Sequence, residues 1–151
     1  MNNWLDRVRA PKYLRYFFYI AYSWYRPYKS DRSDAHFGAM LIVALPNTLL
    51  LFVINNISLL IDSKKFLVFS NTIVIFFSLI VFLIYYVLFI YDNKWKVIIK
   101  EFEYLKRKDR KRGLIYLFIY LFTWFFLALF PFILDALFGV YILEKHITVM
   151  L

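Results

Sequence analysis

Three stretches of this chain, Phe37–Ile61, Phe66–Tyr91 and Leu114–Leu143, contain neither Lys nor Arg, and the only acid among them is Asp135. Each is longer than the ~20 residues an α-helix needs to cross ~30 Å of hydrocarbon. In hydrocarbon every backbone N–H and C=O must find its partner within the segment, so helices are the form such runs take. A soluble bundle would have to hide all three from water, and the short segments between them are too few to cover them. Apolar residues make up 63% of the chain, against ~45–50% in soluble domains. The surplus needs a different solvent, and lipid is the economical one. The expected fold class is therefore an all-α integral membrane protein with three transmembrane helices, preceded by an N-terminal interfacial amphipathic helix and carrying a basic amphipathic linker. As a single membrane domain it divides into a cytoplasmic or interfacial segment (1–36), three spans (37–61, 66–91 and 114–143), a basic linker (92–113) and an outer tail (144–151).

The formal net charge of +9 would suggest nucleic acid in a soluble protein. Here the charge lies in blocks between the apolar runs, where it sets orientation. Arg7, Arg9, Lys12, Arg15, Arg26, Lys29 and Arg32 precede the first run, and nine further Lys and Arg lie between Asp92 and Gly113. The other side carries Lys64, Lys65 and Lys145. This bias puts the N-terminus and the second linker in the cytoplasm, and the short Asp62–Lys65 hairpin loop and the C-terminus outside. The location expected is a bacterial inner (plasma) membrane, crossed several times. The start, Met1 to Arg7, lacks the compact apolar stretch of a signal peptide, so the first span is expected to act as its own insertion signal. Cysteine is absent, which removes disulfides and thiolate chemistry.

Tyr13–Tyr28 is too short and too basic for a comfortable fourth span. Its Tyr, Phe and Trp residues suit headgroup depth, so it reads as an interfacial helix entered through Pro11 and left near Pro27. In the linker, Trp95, Ile98, Ile99, Phe102 and Leu105 recur at helical spacing, and Gly113 is placed as a helix terminator.

Polar side chains line the spans at helical spacing. Asn47, Thr48, Asn55, Ser58 and Asp62 share one side of the first, just after Pro46, which should kink it. Asn71, Ser78, Tyr85 and Asp92 follow a seven-residue spacing in the second. In the third, Tyr116, Tyr120 and Thr123 fall together, Pro131 should make a second kink, and Asp135 follows it. These groups either hydrogen-bond one helix to the next or line an aqueous path; most are neutral amides and hydroxyls, which favours the first. Asp135 falls near the outer surface, although ionisable groups in spans are often functional.

No Gly-rich phosphate loop, zinc-protease helix, nucleophile elbow or metal-ligand spacing is present, and His36 and His146 fall on opposite sides. An enzyme is not expected, and no cofactor or metal is assigned. Lys106, Arg107, Lys108, Arg110, Lys111 and Arg112 form the densest charge cluster, suited to anionic lipid headgroups or a protein partner. Nucleic acid is not expected, because no base-reading motif accompanies the charge.

The Tyr-rich basic start (YLRYFFYIAYSWYRPYKSD), the Pro-Asn pair in the first span, the short hairpin and the KEFEYLKRKDRKRG linker together resemble small three-span bacterial inner-membrane proteins of unknown function. The resemblance implies an accessory place beside a larger system, anti-phage modules included, and assigns no residue a role. The expected function is a non-enzymatic membrane subunit that anchors or scaffolds a partner or assembles into a membrane complex, with homo-oligomerisation or a membrane-protein partner. The alternative is a homo-oligomeric ion channel or pore, such as a membrane-disrupting defence effector.

Overall fold

In the computed structural model residues 8–26, 34–54 and 71–138 are described, and the chain is all-helical, with no strand among those residues. Helix α1 is Lys12–Tyr25. Pro11 stands at its N-cap with an extended backbone (φ −52°, ψ 147°), where a missing N–H costs nothing, and its carbonyl accepts the Arg15 N–H at 3.1 Å. Helix α2, Ala35–Thr48, starts from Asp34, whose carbonyl accepts the N–H groups of Phe37 and Gly38. Regular helix is interrupted at Leu49, three residues past Pro46, and resumes to Ile54. Helix α3 is Asn71–Phe89, a 3₁₀ turn covers Tyr91–Asn93, α4 is Lys94–Phe102, and α5 is Arg107–Phe138.

Three stretches are long and apolar enough to cross a membrane: Ala35–Ile54, Thr72–Phe89 and Arg107–Leu134. Their outer surfaces are apolar, as Ile75, Phe76, Leu83, Ile119, Phe122 and Phe125 are all at least half exposed. α2 is the central element and packs on α1, α3 and α5. It can do so because Ala35, Ala39, Val43 and Ala44 are small and buried, which lets neighbouring backbones approach closely. α3 answers with Val81, Tyr85 and Phe89, buried at a spacing of four.

The sequence reads α1 as an amphipathic helix of the inner interface, and its apolar face is turned to protein. Leu14, Phe18, Tyr19, Ile20 and Ala21 are buried, and rings of α1 meet rings from three other helices. Phe18 stacks on Phe89 of α3 at 4.8 Å, Tyr22 lies 6.1 Å from Trp95 of α4, and Phe17 stacks on Tyr120 of α5 at 5.0 Å. At 14 residues α1 is about 21 Å long, too short to be a fourth span. It braces one end of the bundle.

The linker opens on a corner where the sequence reading begins it, and one boundary, at Gly113, differs from that reading. α3 and α4 are separated by a sharp corner, with Asp92 (φ 53°) and Asn93 (φ 56°) both left-handed, a conformation that Asp and Asn tolerate better than other non-glycine residues. The long third helix begins at Arg107, seven residues before the apolar run it carries, and Gly113 lies inside it and does not end it. Gly113 is buried because α1 crosses there. A Cβ at this position would stand 2.6 Å from Ile20 Cδ1 and would also meet the Tyr16 hydroxyl.

Candidate functional site

Two groups of residues are singled out by the sequence, the polar positions of the apolar helices and the basic cluster. Of the first, Asn47 of α2 donates a side-chain hydrogen bond to the Tyr85 hydroxyl of α3, so two of the polar stripes meet at this pair. The others turn back on their own helices. Thr48 Oγ1 donates to the Leu45 carbonyl at 2.7 Å, Ser78 Oγ to Val74 at 2.9 Å, and Thr123 Oγ1 to Ile119 at 2.8 Å. Thr48 thereby bonds a carbonyl in the turn around Pro46, and Thr123 lies on the exposed side of α5. Asn71 is the first residue of α3 and Asp135 lies in the last turn of α5; their side chains, and all of Asn55, Ser58 and Asp62, are outside the described residues.

The Asn47–Tyr85 bond leads to a prediction. Asn47→Leu or Tyr85→Phe is expected to destabilise the helical assembly by about 0.6 kcal/mol, at most ~1.7. The double variant should lose no more than the larger single one, as expected when one contact is counted once. Reversible unfolding in mixed micelles measures it; strictly additive losses would mean that the two side chains act separately.

At the α1 end the charged groups are organised by pairing. Arg15 of α1 forms an ion pair with Glu101 of α4. Lys94 Nζ donates to the carbonyl of Val87, in the last turn of α3, at 3.2 Å, and to that of Val8 at 3.1 Å. One ammonium thus satisfies a C-terminal carbonyl of α3 and ties the chain before α1 to the α3–α4 corner. These two links bring the basic N-terminal segment and the basic linker to one end of the bundle. The Tyr16 phenol is raised above its ordinary pKa, by burial and then by the nearby Asp109 carboxylate, so it stays a neutral group between α1 and α5.

The basic cluster is split by the start of α5. Lys106 stands just before the helix, its carbonyl accepting the Arg110 N–H at 3.0 Å, and Arg107 to Arg112 form the first turns. Arg107, Arg110 and Lys111 line a cavity of about 250 Å³ together with Ile20, Ser23 and Trp24 of α1 and Leu114 of α5. A neighbouring, more polar cavity of about 400 Å³ shares Ser23 and Arg110 and adds Arg26 and Glu103. Lys106, Lys108 and Arg112 line neither of these cavities.

Sequence reasoning did not single out Glu101, Lys94, Ser23 or Trp24. What they meet lies on other segments of the chain, beyond the reach of local periodicity. His36, in the first turn of α2, stacks on Trp95 of α4 at 4.8 Å between ring centres. Among the described residues no three His, Asp or Glu side chains converge as a metal site. Compared with protein-family models, with curated proteins and with solved structures, the chain matches none.

Proposed function

We propose that this chain is a non-enzymatic multi-pass subunit of a bacterial inner membrane, which anchors or scaffolds a partner through its basic end. The observation that carries this reading is the use made of the polar groups of the apolar helices among the described residues. Asn47 and Tyr85 are spent on each other, and Thr48, Ser78 and Thr123 on their own backbones, which leaves surfaces suited to lipid rather than to a water-filled path. The charged groups gather where α1, α4 and the start of α5 are bound together, and that gives a partner a rigid surface to dock on. By the charge bias this end faces the cytoplasm, and the amphipathic α1 lies at the inner interface.

The test is purification of the full chain in mild detergent with mass determination of the intact assembly. A stoichiometric protein partner is expected, and it should be lost when Lys106, Arg107, Lys108, Arg110, Lys111 and Arg112 are replaced by Gln. A pure homo-oligomer that releases dye from liposomes, with release altered by Asn47→Leu, would replace this reading with that of a pore. Reporter fusions that put residues 29 and 106 in different compartments would overturn the topology.

A further inference from the structure

We propose that the cavity between α1 and the first turns of α5 is a binding site for one anionic phospholipid, its phosphate held by Arg107, Arg110 and Lys111 and one acyl chain lying along α5. The proposal rests on the membrane reading above and adds a ligand to it. Arg107, Arg110, Lys111 and Leu114 are spaced three, four and seven residues apart, so they occupy one face of the helix. That face looks onto Ile20, Ser23 and Trp24, spaced three and four apart on α1.

The lining changes character along the helix axis in the order a phospholipid does. Three cations and the Ser23 hydroxyl stand at the polar end, where guanidinium groups can grip phosphate oxygens in pairs. The first backbone N–H groups of α5 add a positive helix end, since they have no intrahelical acceptor. Leu114 and Ile20 form the apolar side, and Trp24 sits edge-on to Phe118 at 6.2 Å. At 100° per residue Phe118, Phe122 and Leu129 continue the stripe of Lys111 within about 20°. Phe118 and Phe122 are more than half exposed, so an acyl chain has a continuous apolar track from the cavity. A soluble phosphate ester would use the cations and leave this track bare, which is why a lipid is the ligand chosen. The anionic groups nearby are Glu103, which lines the adjoining cavity, and Asp109 beside Tyr16; neither lines this one.

The experiment compares two variants that lose the same charge. The full-length chain is reconstituted in phosphatidylcholine with a minor fraction of phosphatidylglycerol, and retained lipids are identified by native mass spectrometry. The unaltered protein should hold one phosphatidylglycerol in preference to phosphatidylcholine. Replacing Arg107, Arg110 and Lys111 by Gln should lower that preference about tenfold, whereas replacing Lys106, Lys108 and Arg112 should change it less than about twofold. Ser23→Asp, which puts a carboxylate into the same cavity from α1, should reproduce the first loss with every cation in place. Equal losses from both triple variants, or no preference in the unaltered protein, would reduce the site to diffuse charge and overturn the proposal. Displacement of the phosphatidylglycerol by dissolved glycerol 3-phosphate would overturn the choice of a lipid. Failure of every form to enter pure phosphatidylcholine vesicles would overturn the membrane reading itself, a distinct result.

Discussion

Phe18→Ala is expected to destabilise the protein by about 3–5 kcal/mol, the range for truncating a fully buried aromatic ring. Phe18 is wholly excluded from solvent and stacks on Phe89, which in turn stacks on Tyr85 at 5.7 Å. The ring therefore joins α1 to α3 at the end of the bundle where water competes for apolar surface. The cavity left behind has little means of closing, because α1 is also held by the Arg15–Glu101 ion pair and by Tyr16 and Tyr19 against Phe102. The control is Phe122→Ala on α5. Phe122 is 68% exposed, and lipid can fill the space its ring vacates, so its loss should fall within ~0.5 kcal/mol. Reversible unfolding in mixed micelles, followed by circular dichroism, separates the two. Equal losses would show that burial at Phe18 does not hold α1 in place.

That contrast also marks how far the sequence could be read. A run free of Lys and Arg reports the solvent around a helix, so three apolar helices could be found by scanning for such runs. It does not report where the helix ends. Charge begins again at Arg112, yet the helix runs on back to Arg107, because water accepts a helix whose outer turns are basic. Gly113 reads as a terminator by its type alone; its buried position comes from a crossing with Ile20 and Tyr16, which lie more than 90 residues away in the chain. In the linker the spacing of Trp95, Ile98, Ile99 and Phe102 was legible, since one helix face generates it, and Ile98 and Phe102 are indeed the buried pair of α4. Asn47 could be found on its stripe by the same logic. Its pairing with Tyr85, and that of Arg15 with Glu101, could not, since each joins two helices whose rotation about their own axes is fixed only by packing. The cavity beside Arg107, Arg110 and Lys111 is hidden for the same reason: six basic residues among seven look equivalent until α1 selects three of them.

Gly113→Leu is expected to undock α1 from the bundle. A Cβ at residue 113 would stand 2.6 and 2.8 Å from Ile20 Cδ1 and Cγ1, closer than carbon atoms approach without repulsion. Ile20 is 2% exposed and Tyr16 lies edge-on to Phe102 at 5.8 Å, so neither can swing clear cheaply. Ala at this position would gain ~1 kcal/mol of helix propensity against ~1–3 kcal/mol of overpacking, a net change near zero to ~2 kcal/mol. Leu gains slightly less propensity than Ala and adds three carbons for which no space exists, and parting the two helices relieves more strain than repacking does. The chain contains no cysteine, so a Phe17→Cys/Tyr120→Cys pair reports the junction cleanly through a short bifunctional thiol reagent. Cross-linking should be efficient with Gly at 113, reduced with Ala and nearly lost with Leu, while trypsin cleavage after Lys12 and Arg15 rises in the same order. The helicity of the three apolar helices should survive, since α2 contacts α3 and α5 directly. Cross-linking that persists in Gly113→Leu would mean that α1 and α5 meet elsewhere.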